Sequence, residues 1–232
     1  MNNKRIIVAL DFDNMDEALK LVNQLKPELC RLKVGKEMFT LFGPQWVSLL
    51  VERGFDVFLD LKFHDIPNTV AKACAAAASL GVWMVNLHAS GGREMMLKAR
   101  DAIEPFANRP LITAVTILTS MDEQQYSQIG YSRSIEQQVL HFAKMSQESG
   151  MDGIVCSAWE AAKLSAVFGK EFKLVTPGIR PLGSDKGDQS RIMTPANAID
   201  AGASYLVIGR PITKSPNPLK SLCEISETLA SH

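Results

Sequence analysis

The chain has 232 residues, with 25 Lys+Arg against 25 Asp+Glu, 46% hydrophobic and 22% charged residues. Balanced charge implies no broad basic face, so nucleic acid is not an expected partner although local patches can still bind phosphate, and no apolar run approaches the length of a membrane span. Cys30, Cys74, Cys156 and Cys223 occur without a CxxC pair, which fits neither a disulfide framework nor a zinc site and places the chain in a reducing cytoplasm.

The first apolar run, Ile6 to Leu10, ends at Asp11 and is too short for the core of a signal peptide. From there, short β-rich runs alternate with stretches of three-and-four apolar spacing. Strands are predicted at 5–10, 31–34, 57–61, 84–87, 111–117, 153–156, 173–175 and 205–208, and helices at 15–25, 44–53, 68–80, 94–106, 135–149, 159–168, 195–201 and 218–230. Eight such pairs predict an α/β fold, a single-domain (β/α)8 TIM barrel over 1–232. An open doubly wound sheet uses similar elements, but no GxGxxG follows the first strand.

A barrel places its site where strands end and βα loops begin. The polar residues fall at those positions: Asp11 after strand one, Lys33 near the end of strand two, Asp60 and Lys62 at strand three, His88 after strand four, Thr119 and Ser120 after strand five, and Gly209-Arg210 after strand eight. Bottom-of-barrel ion pairs account for one or two such charges, not for several at one rim. The densest cluster is Asp60-Leu61-Lys62-Phe63-His64-Asp65, which follows the apolar Val57-Phe58-Leu59 and is costly to bury without a purpose. Strand alternation sets Asp60 and Lys62 on one side, about 7 Å apart along the backbone. Asp65 follows in the turn, so Lys62 is expected between two carboxylates, as a proton donor or ion-pair lysine rather than an imine-forming one.

A second element is the stretch Thr176-Pro177-Gly178-Ile179-Arg180-Pro181. It opens a loop rich in Gly, Pro, Ser and Asp that runs to Met193, and 177–193 is expected to act as a phosphate-gripping lid. Ile208-Gly209-Arg210 offers backbone N–H groups and a guanidinium where barrels often hold phosphate. His64, His88 and Asp60 form an alternative, metal-binding set, although no closely spaced ligand pair supports it. His141 reads as helix packing or surface and His232 as tail. Met95, Met96, Met121, Trp46, Trp83 and Trp159 read as packing, and Ala75-Ala76-Ala77-Ala78 as a close helix approach.

The run from Asp60 through Ile66, Pro67, Asn68 and Thr69 resembles the signature of the orotidine 5′-phosphate decarboxylase family. Val8-Ala9-Leu10-Asp11, Leu32-Lys33-Val34-Gly35, Pro177-Gly178-Ile179-Arg180 and Ile208-Gly209-Arg210 match its other blocks in order. The D-x-K-x-x-D core is shared with related sugar-phosphate barrels, including 3-keto-L-gulonate 6-phosphate decarboxylase. The Ile66-Pro67-Asn68-Thr69 continuation and the long strand-seven loop favour the pyrimidine enzyme.

The resemblance implies cofactor-free decarboxylation of orotidine 5′-phosphate to uridine 5′-phosphate in de novo pyrimidine biosynthesis, within a homodimer. It implies that Asp60 lies beside the substrate carboxylate, that Lys62 protonates C6, and that Lys33 and Asp11 meet ribose hydroxyls in one charge network. By the same resemblance Asp65 and Thr69 reach the partner subunit's site, Ile66 contacts the substrate, and Thr119 reads the pyrimidine edge with Ser120 beside it. Gln189 bridges base and phosphate, and Gly209, Arg210 and Arg180 take the phosphate. The competing readings are a metal-dependent sugar-phosphate decarboxylase or epimerase, and a non-catalytic phosphate-ligand binding protein.

Overall fold

The structure, a computed structural model, describes residues 4–181 and 193–229. Its strands close into one parallel barrel in chain order, from β1 round to β8. The order is β1 (Ile6–Leu10), α1 (Met15–Val22), β2 (Arg31–Gly35), α2 (Lys36–Glu52), β3 (Val57–Phe63), α3 (Pro67–Ser79), β4 (Met84–His88), α4 (Arg93–Ile103) and β5 (Leu111–Val115). It continues with α5 (Glu123–Gln128), α6 (Ile135–Glu148), β6 (Gly153–Val155), α7 (Ala158–Phe168), β7 (Lys173–Thr176), α8 (Pro195–Asp200), β8 (Tyr205–Ile208), α9 (Arg210–Thr213) and α10 (Pro218–Glu227). The predicted (β/α)8 TIM barrel is thus the observed fold.

Three differences from the sequence expectation have local causes. Helix α2 starts at Lys36 rather than Pro44, because two helical pieces meet at Gly43, whose φ of 68° breaks the regular turn just before the proline. The short helices α5 and α9 carry too few residues to show a 3.6-residue period; α5 is started by Asp122, whose carboxylate accepts the Gln125 N–H at 2.8 Å. Strand β3 runs two residues beyond the predicted end, to Phe63, and its pairing with β4 shifts register between Leu59 and Phe63.

Period-two alternation divides the strands into an outer face under the helices and an inner face within the barrel. On β1, Ile6, Val8 and Leu10 join the large cluster between barrel and helices, whereas Ile7 packs inside with Phe58, Met84 and Val175. These four inner residues are fully or almost fully buried and form a floor. Two positions further along the strands, Ala9 on β1 and Asp60 on β3 line an open cavity. Beneath the floor, Arg31 stacks on Trp83 at 4.1 Å and on Tyr205 at 5.1 Å. The barrel is therefore shut at its N-terminal end and open at the C-terminal rim.

Met95 and Met96 are fully buried, as expected, and Ala77 and Ala78 let α3 pack on α4. Trp46 packs at 1% exposure, but Trp159 is 60% exposed. It stands in the first turn of α7 at the mouth of a second cavity between α5, α6 and α7, so the expectation that it packs is corrected for Trp159.

Candidate active site

The cavity at the C-terminal rim measures about 560 Å³ and gathers residues from β1, β2, β3, β5, β6 and β8 and from the loops that follow the strands. Asp11, Lys33, Asp60, Lys62, Thr119, Ser120, Arg180, Gly209 and Arg210 all line it. The parallel register accounts for the charged side: Ala9 pairs with Lys33 and Gly35 with Asp60, so neighbouring strands raise their polar side chains to similar heights.

Along that side the charges alternate. Lys33 Nζ stands 3.4 Å from Asp11 Oδ1 and 3.5 Å from Asp60 Oδ2, and Lys62 Nζ donates to Asp60 Oδ1 at 2.6 Å. The Asp60 side chain is 12% exposed. Burial works to raise its pKa, yet the Lys33 and Lys62 ammonium groups, with hydrogen bonds from Lys62 and Asn86, together hold it below the usual carboxylate value. Asp60 is therefore an anion at neutral pH.

The pairing of Asp60 with Lys62 comes about differently from simple alternation. Leu61 and Phe63 pack outward as a strand predicts, but Lys62 has φ 53°, and among the described residues it alone is a non-glycine with positive φ. Such a conformation for a long side chain signals a functional constraint.

Asp65 is not beside Lys62 in the chain's own site. It is exposed, and its carboxylate accepts the Ile66 N–H at 2.6 Å. The expectation that Lys62 lies between Asp60 and Asp65 is corrected to this extent: within one chain Asp60 is its carboxylate partner. Ile66 is 66% exposed and Thr69 is exposed, and like Asp65 neither lines the cavity.

Across from the charged array, β7 leads into Pro177 and Gly178, and the buried Arg180 donates to the Ile179 carbonyl at 2.9 Å. Strand β8 delivers Gly209 next to β1: a Cβ built on it would lie 3.6 Å from the Ala9 Cβ and 3.9 Å from Asp11 Oδ2. Arg210 then opens α9. Gln189 and most of the 177–193 loop lie outside the described residues.

His64 and His88 meet with ring centroids 5.5 Å apart. Burial, with His64, Lys36 and Lys62 nearby, lowers the His88 pKa to about 4, so the ring is neutral at pH 7. Among the described residues, no three His, Cys, Asp or Glu side chains converge as metal ligands. The set of Asp60, His64 and His88 is therefore not assembled.

Two residues of the site lie outside the sequence expectation. Lys214 follows α9 and lines the cavity, with its Nζ 5.9 Å over the Phe12 ring; a lysine after a helix four residues long gives no sequence signal. Asn86 is wholly buried in β4 and donates to Asp60 at 2.7 Å. An asparagine within the apolar run Met84-Val85-Asn86-Leu87 was the available clue, because parallel strands buried on both faces are rarely interrupted by an amide.

Fold and rim define a (β/α)8-barrel enzyme that places alternating lysines and carboxylates along β1 to β3 and arginines after β7 and β8. The family model described as "Orotidine 5'-phosphate decarboxylase / HUMPS family" matches residues 4–225. An orotidine 5′-phosphate decarboxylase from Pseudoalteromonas translucida is 60% identical over 228 residues, covering 98% of this chain and 97% of that protein. Another from Vibrio atlanticus is 58% identical over 231 residues, covering 99% and 100%. The crystal structure of orotidine 5′-phosphate decarboxylase from Lactobacillus acidophilus superposes with a TM-score of 0.88 at 36% identity, covering 98% of this chain and 99% of that one. The chain belongs to the orotidine 5′-phosphate decarboxylase / HUMPS family.

Proposed function

We propose that the chain decarboxylates orotidine 5′-phosphate to uridine 5′-phosphate as a step of pyrimidine biosynthesis, without a cofactor, as a cytoplasmic homodimer. Its relatives at 58–60% identity carry that enzyme's name, and the observation that carries the reading to chemistry is the run Lys33, Asp60, Lys62 on one cavity wall.

Loss of carbon dioxide leaves an electron pair that needs a fixed cation, an imine or a cofactor to accept it. The Lys62 ammonium supplies the cation. With the substrate carboxylate seated against Asp60, the bond from C6 to the carboxylate breaks, carbon dioxide departs, and repulsion with Asp60 is relieved. The pair left on C6 takes a proton from Lys62 Nζ, and the resulting amine is reprotonated from solvent. Lys33 and Asp11 bind the ribose hydroxyls and keep Asp60 oriented. Thr119 contacts the base, while Gly209, Arg210 and Arg180 hold the phosphate. Asp65, Ile66 and Thr69, exposed in the single chain, enter the partner subunit's cavity.

Arg210→Ala tests the phosphate end. Loss of a charge-assisted hydrogen bond, about 1.5–3 kcal/mol, raises KM roughly ten- to a hundredfold. A smaller drop in kcat follows, because binding energy remote from the reacting carbon also serves the transition state. Steady-state kinetics that show a kcat loss with unchanged KM contradict that placement.

The proposal as a whole is tested by adding orotidine 5′-phosphate to purified protein in chelator and following the near-ultraviolet absorbance that decarboxylation removes. A steady fall is expected. Unchanged absorbance, or turnover that requires an added divalent metal, overturns the reading.

A further inference from the structure

Asn86 lies in β4 with no solvent exposure and touches both halves of the central ion pair. Its Nδ2 donates to Asp60 Oδ1 at 2.7 Å, and its Oδ1 accepts the backbone N–H of Lys62 at 2.8 Å. The amide has a single workable orientation, since a carboxylate only accepts and a backbone N–H only donates. The bond to Lys62 falls where the β3–β4 pairing shifts register between Leu59 and Phe63. A side chain thus satisfies a backbone donor at the break in the ladder. It does so at the residue held at φ 53°, a conformation that persists only where its surroundings fix it.

We propose that Asn86 is the positioning residue of the site, fixing the Asp60 carboxylate with one end of its amide and the left-handed backbone that carries the Lys62 ammonium with the other. The inference rests on the decarboxylase reading and deepens it: the aim of the proton donor is set from β4, one strand away. Asn86 is reached through Asp60 and Lys62 and does not line the cavity itself.

The test compares Asn86→Asp and Asn86→Ala with the wild type for kcat, KM and Tm across a pH series. Thr113→Ala serves as a control. Thr113 pairs with Asn86 in register on β5 and is wholly buried, and its hydroxyl has no partner among the described residues.

Asn86→Ala, and Asn86→Asp above neutral pH, are expected to lose kcat by roughly a hundredfold with KM nearly unchanged, the scale set by removal of one preorganising donor. Thr113→Ala is expected to lower Tm and leave kcat in place. In Asn86→Asp the new acid faces Asp60 and Lys62 on β3, with Lys33 beyond on β2 and His88 on its own strand. Burial and the Asp60 charge raise its pKa, so as pH falls it takes up a proton, donates again to Asp60, and recovers kcat relative to wild type. Should Asn86→Ala fail to fold, the near-isosteric Asn86→Asp carries the test. Wild-type kcat in Asn86→Asp, the absence of recovery on acidification, or kcat losses that track Tm in all three variants, Thr113→Ala included, overturn the proposal. An inactive wild type instead overturns the decarboxylase reading on which it rests.

Discussion

Lys62→Ala is expected to lower kcat by roughly 10⁴- to 10⁷-fold while the folded barrel persists. The size follows from two separate losses: a positioned general acid contributes about 10²–10⁴-fold, and a fixed charge facing the developing anion about 10²–10³-fold. Retention of the fold follows from what stays behind. Removing one partner of a buried ion pair is severe when it strands the other charge, but Asp60 keeps Lys33 at 3.5 Å and the Asn86 amide at 2.7 Å. The Lys62 side chain is itself 25% exposed, so its truncation opens onto the cavity rather than leaving a closed void. Kinetics and thermal melting of the same preparation check both halves. A loss of only tenfold, or one explained by unfolding, removes Lys62 from the reaction.

The second large effect concerns Asp65. Asp65→Ala is expected to cost roughly 10²–10³ in kcat although the carboxylate lies outside its own chain's cavity, because the homodimer proposal puts it into the neighbouring site as one more fixed charge. Mixing Lys62→Ala with Asp65→Ala protein separates this account from a local one. In a hybrid dimer, one site combines an intact Lys62 with an intact Asp65 from the partner, and the other site lacks both. Random exchange makes half of the dimers hybrid, so the mixture should recover about a quarter of wild-type turnover. Two dead variants that stay dead after subunit exchange has been verified contradict a shared site.

The barrel was legible because parallel strands and amphipathic helices each carry a strong period, repeated along the chain. The rim was legible because charged residues at strand ends in an apolar sequence have few structural uses: Asp11, Lys33, Asp60 and Lys62 converge as expected. What escaped is what depends on tertiary pairing. The positive φ of Lys62 falls within the register shift against β4, which no pattern within β3 encodes. Asn86 has no local pattern to reveal it, because its partners lie on β3, more than twenty residues earlier. Asp65 sits three residues from Lys62 in sequence, yet the turn directs its carboxylate to the Ile66 N–H, so proximity in sequence was a poor guide to proximity in the site. Trp159 was read as packing from its helical context, whereas its place in the first turn of α7 leaves the ring 60% exposed.

The most direct test of the central claim, that Lys62 enables release of carbon dioxide without a metal, uses orotidine 5′-phosphate labelled in its carboxylate. Chelator-treated wild-type protein and Lys62→Ala protein are supplied with it side by side, with ligand binding measured for both. The account predicts one labelled carbon dioxide for each uridine 5′-phosphate formed by the wild type, and almost none from a Lys62→Ala protein that still binds. Retention of the label by the wild type, or comparable release by both proteins, contradicts it.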